Sequence, residues 1–91
     1  MSEGYLTTKK KMKKLLEFLV KGLADKKEKV KIKQEVENGI VSLTCQVAKE
    51  DMGKIIGKGG KTIKAIRSLL RTKAGKEGKK VFFTLEEAEA S

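Results

Sequence analysis

Between Lys9 and Leu23 the apolar residues Met12, Leu15, Leu16, Leu19 and Leu23 return every three or four positions, which predicts an amphipathic helix. Phe18 falls outside that stripe and is expected on the surface, as a protein contact or a lone aromatic. After a charged break at residues 25–29 the period changes to two. Val30, Ile32, Gln34 and Val36 alternate with charged residues, and past Asn38-Gly39 the run Val41, Leu43, Cys45, Val47 alternates with Ser42, Thr44 and Gln46. Two strands joined by an Asn-Gly turn make a hairpin. Glu50 to Ile56 then reads as a short helix, with Met52, Ile55 and Ile56 at i, i+3, i+4 spacing and Gly53 placed for a close approach of backbone or ligand. A second helical pattern runs from Lys61 to about Lys73. Its residues Ile63, Ile66, Leu69 and Leu70 share one sector, and Lys61, Lys64, Arg67 and Arg71 gather opposite them. Residues 74–80 read as a glycine-punctuated basic loop, and Val81, Phe83 and Leu85 alternate as a third strand. The predicted order is α-β-β-α-α-β, an α+β chain with a three-stranded sheet and its helices on one face. One domain over residues 9–85 is expected, between a loose N-terminal segment 1–8 and an acidic flexible tail 86–91.

Composition removes several function classes. In 91 residues, with 38% from the hydrophobic set, there is room for one small core. The chain has no His and a single cysteine, so neither a Cys/His metal site nor a disulfide framework can form within it, and no cofactor is expected. Cys45 falls on the inward face of its strand, where a thiol is an inert small hydrophobe, and no histidine is present to activate it. No general acid–base pair is visible, and a non-enzyme is expected. No apolar run approaches the roughly 20 residues that span a bilayer, and the N-terminal lysines are not followed by a signal-peptide core, so the expected location is the cytoplasm.

The net charge of +10 is uneven. Residues 1–29 carry nine lysines against four acids, residues 30–48 balance, and residues 49–80 carry eleven Lys/Arg against three acids, while Glu86, Glu87 and Glu89 follow as an acidic end. The positive charge therefore concentrates around Gly57, Lys58, Gly59 and Gly60, a G-x-x-G quartet between the two predicted helices. Glycine permits positive φ and leaves no Cβ in the way of a ligand, and the helix that follows offers its partly positive N-terminus to a phosphate. Lys58 adds a mobile ammonium.

Residues 47–61, Val-Ala-Lys-Glu-Asp-Met-Gly-Lys-Ile-Ile-Gly-Lys-Gly-Gly-Lys, followed by Lys64-Ala65-Ile66-Arg67 and the basic segment 74–81, resemble a type II KH domain of the small bacterial single-domain KhpA type. The resemblance covers about Lys11 to Leu85. In that family the G-x-x-G loop clamps the backbone of about four single-stranded nucleotides while the bases turn into an adjacent apolar groove. Carried over by position, Gly57, Lys58, Gly59 and Gly60 make the backbone contacts. Ile55, Ile56 and Ile63 are candidates for the groove wall, Ile63 being more readily placed in the core. Lys54, Lys61 and Lys64 become phosphate neighbours, and Lys76, Lys79 and Lys80 a second rail. The resemblance implies an RNA chaperone or post-transcriptional regulator tied to cell elongation or division, acting as a homodimer or with a larger KH-containing partner. Glycine at the second variable loop position, the basic start and the acidic end depart from the family pattern.

Gly59-Gly60-Lys61-Thr62 imitates the end of a phosphate-binding nucleotidase loop, but that motif requires glycine where Ile55 stands. Two competing functions stay open on the residues alone: DNA binding through a helix-turn-helix, and an assembly subunit that dimerises through Phe18, Phe82 or its helix faces.

Overall fold

A computed structural model describes residues 2–88 and the side chains of residues 12–88; Met1 of the expected loose start and residues 89–91 of the expected acidic tail lie outside it. The elements are α1 (Ser2–Leu23), β1 (Lys31–Glu37), β2 (Ile40–Val47), α2 (Met52–Ile56), α3 (Lys61–Lys76) and β3 (Lys80–Glu87), with single 3₁₀ turns at Lys27–Lys29, Lys49–Asp51 and Lys58–Gly60.

The hairpin forms as its alternation predicts. Pairing of Glu37 with Ile40 leaves Asn38 and Gly39 as a two-residue turn, with φ of 50° and 77°, the left-handed pair that matches the natural twist of two strands. Strand β2 lies in the middle of the sheet, antiparallel to β1 and parallel to β3, in the order β1-β2-β3. Parallel pairing demands a crossover, and α2 and α3 supply it. Val41, Leu43, Cys45 and Val47 of β2 turn to the helix side and are buried, as is Phe83 of β3. Against them pack Met12, Leu16 and Val20 of α1 and Ile66, Leu70 and Ala74 of α3.

Three element boundaries differ from the periodicity. The first helix begins at Ser2, upstream of Lys9, and its enclosed line is Met12, Leu16 and Val20, while Leu23 is 39% exposed. A helix packed on a twisted sheet touches it along the inclined i+4 ridge, which selects Val20 over Leu23. Helix α3 continues to Lys76 because Ala74, read as loop, puts its methyl group in the core. The helix stops where Gly78 takes φ 67° and the Lys79 N–H donates to the Ala74 carbonyl at 2.8 Å. Strand β3 extends through Glu87 by pairing with Val47, so the acidic end set at residue 86 is partly sheet.

Candidate nucleic-acid interface

Helix α2 has only five residues, and three features hold it in place. Ile55 is fully buried and pins it to the core. Asp51, just ahead of it, is 1% exposed and its carboxylate accepts the Asp25 N–H at 3.1 Å and the Lys26 N–H at 2.8 Å. Hydrogen bonds from Lys26 and Asp25 hold the Asp51 carboxyl below the usual aspartate range. Two exposed ion pairs bracket this contact, Lys26 with Glu50 and Lys54 with Asp25. The Glu50 hydrogen bond raises the Lys26 ammonium above the usual lysine value, and the Asp25 hydrogen bond does the same for Lys54.

Gly57 ends α2 at φ 76°, its N–H donating to the Gly53 carbonyl at 2.8 Å. A Cβ at this position would stand 2.2 Å from Thr62 Oγ1 and 2.7 Å from Thr62 Cβ, so the first glycine of the quartet is required on steric grounds as well as conformational ones. Thr62 lies packed under the loop. Gly59 (φ 63°) and Gly60 (φ 78°) complete the turn, and Gly60 occupies the N-cap of α3 without a side-chain cap. No acidic residue stands in the first turn of α3, so nothing from the chain's own first turn occupies the anion-attracting end of that helix. Lys58, Gly59, Lys61 and Lys64 are exposed, and these three lysines make no ion pair among the described residues.

Some expected residues lie elsewhere. Ile55, expected on a groove wall, is closed to solvent because it is the apolar pin of α2; Ile56, 37% exposed, is the isoleucine that faces out beside the loop. Ile63 is half-buried against the core. Lys54 is engaged by Asp25 instead of standing open beside the loop. Gly53 has open space where a Cβ would be, so no close approach of the chain's own backbone explains it. Lys76 closes α3 and Lys80 opens β3, with Lys79 partly buried between them. At 1.5 Å per residue this basic group stands about 22 Å along α3 from the loop, so it is a separate feature and not part of the loop's own lysine set.

A feature missed by the motif lies along the flank of α3. Arg67 and Arg71 face the edge strand β3 across a cleft of about 250 Å³, floored by Val81 to Thr84 with Phe82 61% exposed. The basic spacing of Lys61, Lys64, Arg67 and Arg71 was visible in the sequence, but its position beside a sheet edge depends on the parallel β2–β3 pairing. Cys45, by contrast, is fully enclosed, and burial pushes its thiol up to about 11. Among the described residues no group of three potential ligands could hold a metal, and no helix is long and apolar enough to cross a membrane.

The KhpA/KhpB KH-domain model matches residues 13–85, from the first helix to the last strand. The chain belongs to this KH family. It is 45% identical over 76 residues to the RNA-binding protein KhpA of Chlamydia trachomatis, covering 84% of this chain and 97% of that one. The RNA-binding protein KhpA of Clostridium perfringens is 44% identical over 70 residues, 77% of this chain and 93% of the relative, and that of Listeria monocytogenes is 40% identical over 70 residues, 77% and 92%. As a KH domain, the molecule carries α2, the glycine loop and α3 on one face of a three-stranded sheet, an arrangement distinct from a helix-turn-helix.

Proposed function

We propose that this protein binds single-stranded or loop RNA by seating a backbone phosphate against Gly57–Gly60 and the N-terminus of α3. Lys58, Lys61 and Lys64 supply mobile positive charge, and the strand continues along Arg67 and Arg71 toward the cleft at β3, where Phe82 offers a face for a base. The observation that carries this reading is the loop itself: a turn closed so tightly on Thr62 that its first residue must be glycine, opening onto a helix end with no side-chain cap and no acid in its first turn. The KhpA relatives are RNA-binding proteins, which supports the same reading. In the cell the protein acts in the cytoplasm as an RNA chaperone or post-transcriptional regulator linked to elongation or division, paired with a second copy or a larger KH-containing protein.

The test is fluorescence anisotropy of a mixed-sequence single-stranded RNA with the wild-type protein and the Lys58→Asp/Gly59→Asp variant, with circular dichroism confirming the fold of both. Two carboxylates placed against the phosphate path should abolish binding at near-physiological salt. Equal binding by the two folded proteins would reduce the loop to scaffold.

A further inference from the structure

We infer that Asp51 is a positioning residue for the glycine loop, fixing where the clamp stands by latching α2 to the connection that follows α1; the inference rests on the RNA-binding reading. Asp51 precedes α2 but makes no cap bond to it. Its carboxylate turns away, to backbone N–H groups 25 and 26 residues earlier in the chain, although it is the charged residue most completely enclosed among the described residues. A buried carboxylate with both oxygens committed to backbone donors is a fixed point, because leaving either donor unpaired is costly.

Helix α2 needs such a point. Five residues are far fewer than an isolated helix requires, and its apolar hold on the core is one fully buried side chain, Ile55, with the half-buried Met52 beside it. Asp51 adds a directional polar tie at the start of the helix, which non-directional apolar packing does not supply. The requirement is strict downstream, since Gly57 lies so close to Thr62 that even a methyl group has no room. A small rotation of α2 would carry Gly57 into Thr62 or away from it, and with it the turn through Lys58 to Gly60. The flanking pairs Lys26–Glu50 and Lys54–Asp25 join the same two segments. Being exposed, they add little alone, and the buried carboxylate is the firmer tie.

A double-mutant cycle separates positioning from mere stabilisation. Asp51→Asn keeps the shape of the side chain but turns one acceptor oxygen into a donor aimed at a backbone N–H. Binding of a single-stranded oligouridine is measured for wild type, Asp51→Asn, Lys58→Ala and the double variant, at a temperature where circular dichroism shows all four folded. The expected result is a roughly tenfold loss for Asp51→Asn and a Lys58→Ala effect at least about threefold smaller in that background, because a displaced loop no longer presents Lys58 to phosphate. Additive effects, with Lys58→Ala weakening binding alone, overturn the positioning role and leave the RNA reading standing. Full binding by the folded Lys58→Asp/Gly59→Asp variant overturns both.

Should Asp51→Asn unfold, amide exchange of the wild-type protein decides instead. A shared opening free energy for the N–H groups of Asp25, Lys26, Gly57 and Gly60 supports the latch. Loop amides that open freely while Asp25 and Lys26 stay protected overturn it.

Discussion

Gln34 lies on the inward side of β1, and both its amide nitrogen and its amide oxygen are buried without a partner among the described residues. An orphaned amide is a standing cost, so Gln34→Met, similar in length and free of hydrogen-bonding demand, should raise the melting temperature. A gain of about 4 °C or more in differential scanning calorimetry is expected for a domain this small; a fall would show the amide satisfied. Cys45 concerns pH. Its thiol ionises near 11 in the folded chain against an ordinary value of 9.0, so the unfolded chain gives up its proton first as the solution becomes alkaline. Its contribution is therefore intact below pH 9.0 and is lost between there and about 11. Replacing Cys45 by Val should flatten that alkaline limb of melting temperature against pH; an unchanged slope would assign the limb to lysines. Cys45 was legible from strand alternation alone. Asp51 was not, because nothing in a run of Lys-Glu-Asp distinguishes a solvated acid from one folded onto a backbone 25 residues away.

Among the helices, strands and turns, the glycine loop could be placed from its residues because its chemistry is local: each residue's conformation is decided within the turn. The hairpin was legible for the same reason, Asn38-Gly39 being a turn that specifies its own register. Boundaries set by distant packing were not. Val20 outranks Leu23, and Ala74 extends α3, only because the sheet lies where it does. The ion pair of Lys54 was hidden by the same blindness, its partner Asp25 being far away in sequence. The flank of α3 carries a prediction of its own. If Arg67 and Arg71 each meet a phosphate, the double variant Arg67→Ala/Arg71→Ala should reduce the steepness of log K against log salt by about 1.4, at roughly 0.7 per contact on a single strand. Titrations at four or five salt concentrations measure it. An unchanged slope with weaker binding would mean that the arginines shape the cleft instead.

Over the molecule as a body, the charge profile drawn from the sequence survives in three dimensions only in part. The lysines around the loop and along α3 stand open, whereas some of the positive charge near the loop is matched internally at Lys26 and Lys54. A long basic flank on a small body favours fast encounter with polyanions, with steep sensitivity to salt. The parallel pairing of β2 with β3 is the fold's long-range decision, for these strands are adjacent in space but separated in the chain by α2, the loop and α3. During synthesis the hairpin can form early from near neighbours, but the sheet closes only when β3 arrives, after the entire crossover has been made. A nascent chain ending ahead of Lys80 therefore lacks both the third strand and the floor of the arginine cleft, so translation must run past the glycine loop before the flank beside it is complete.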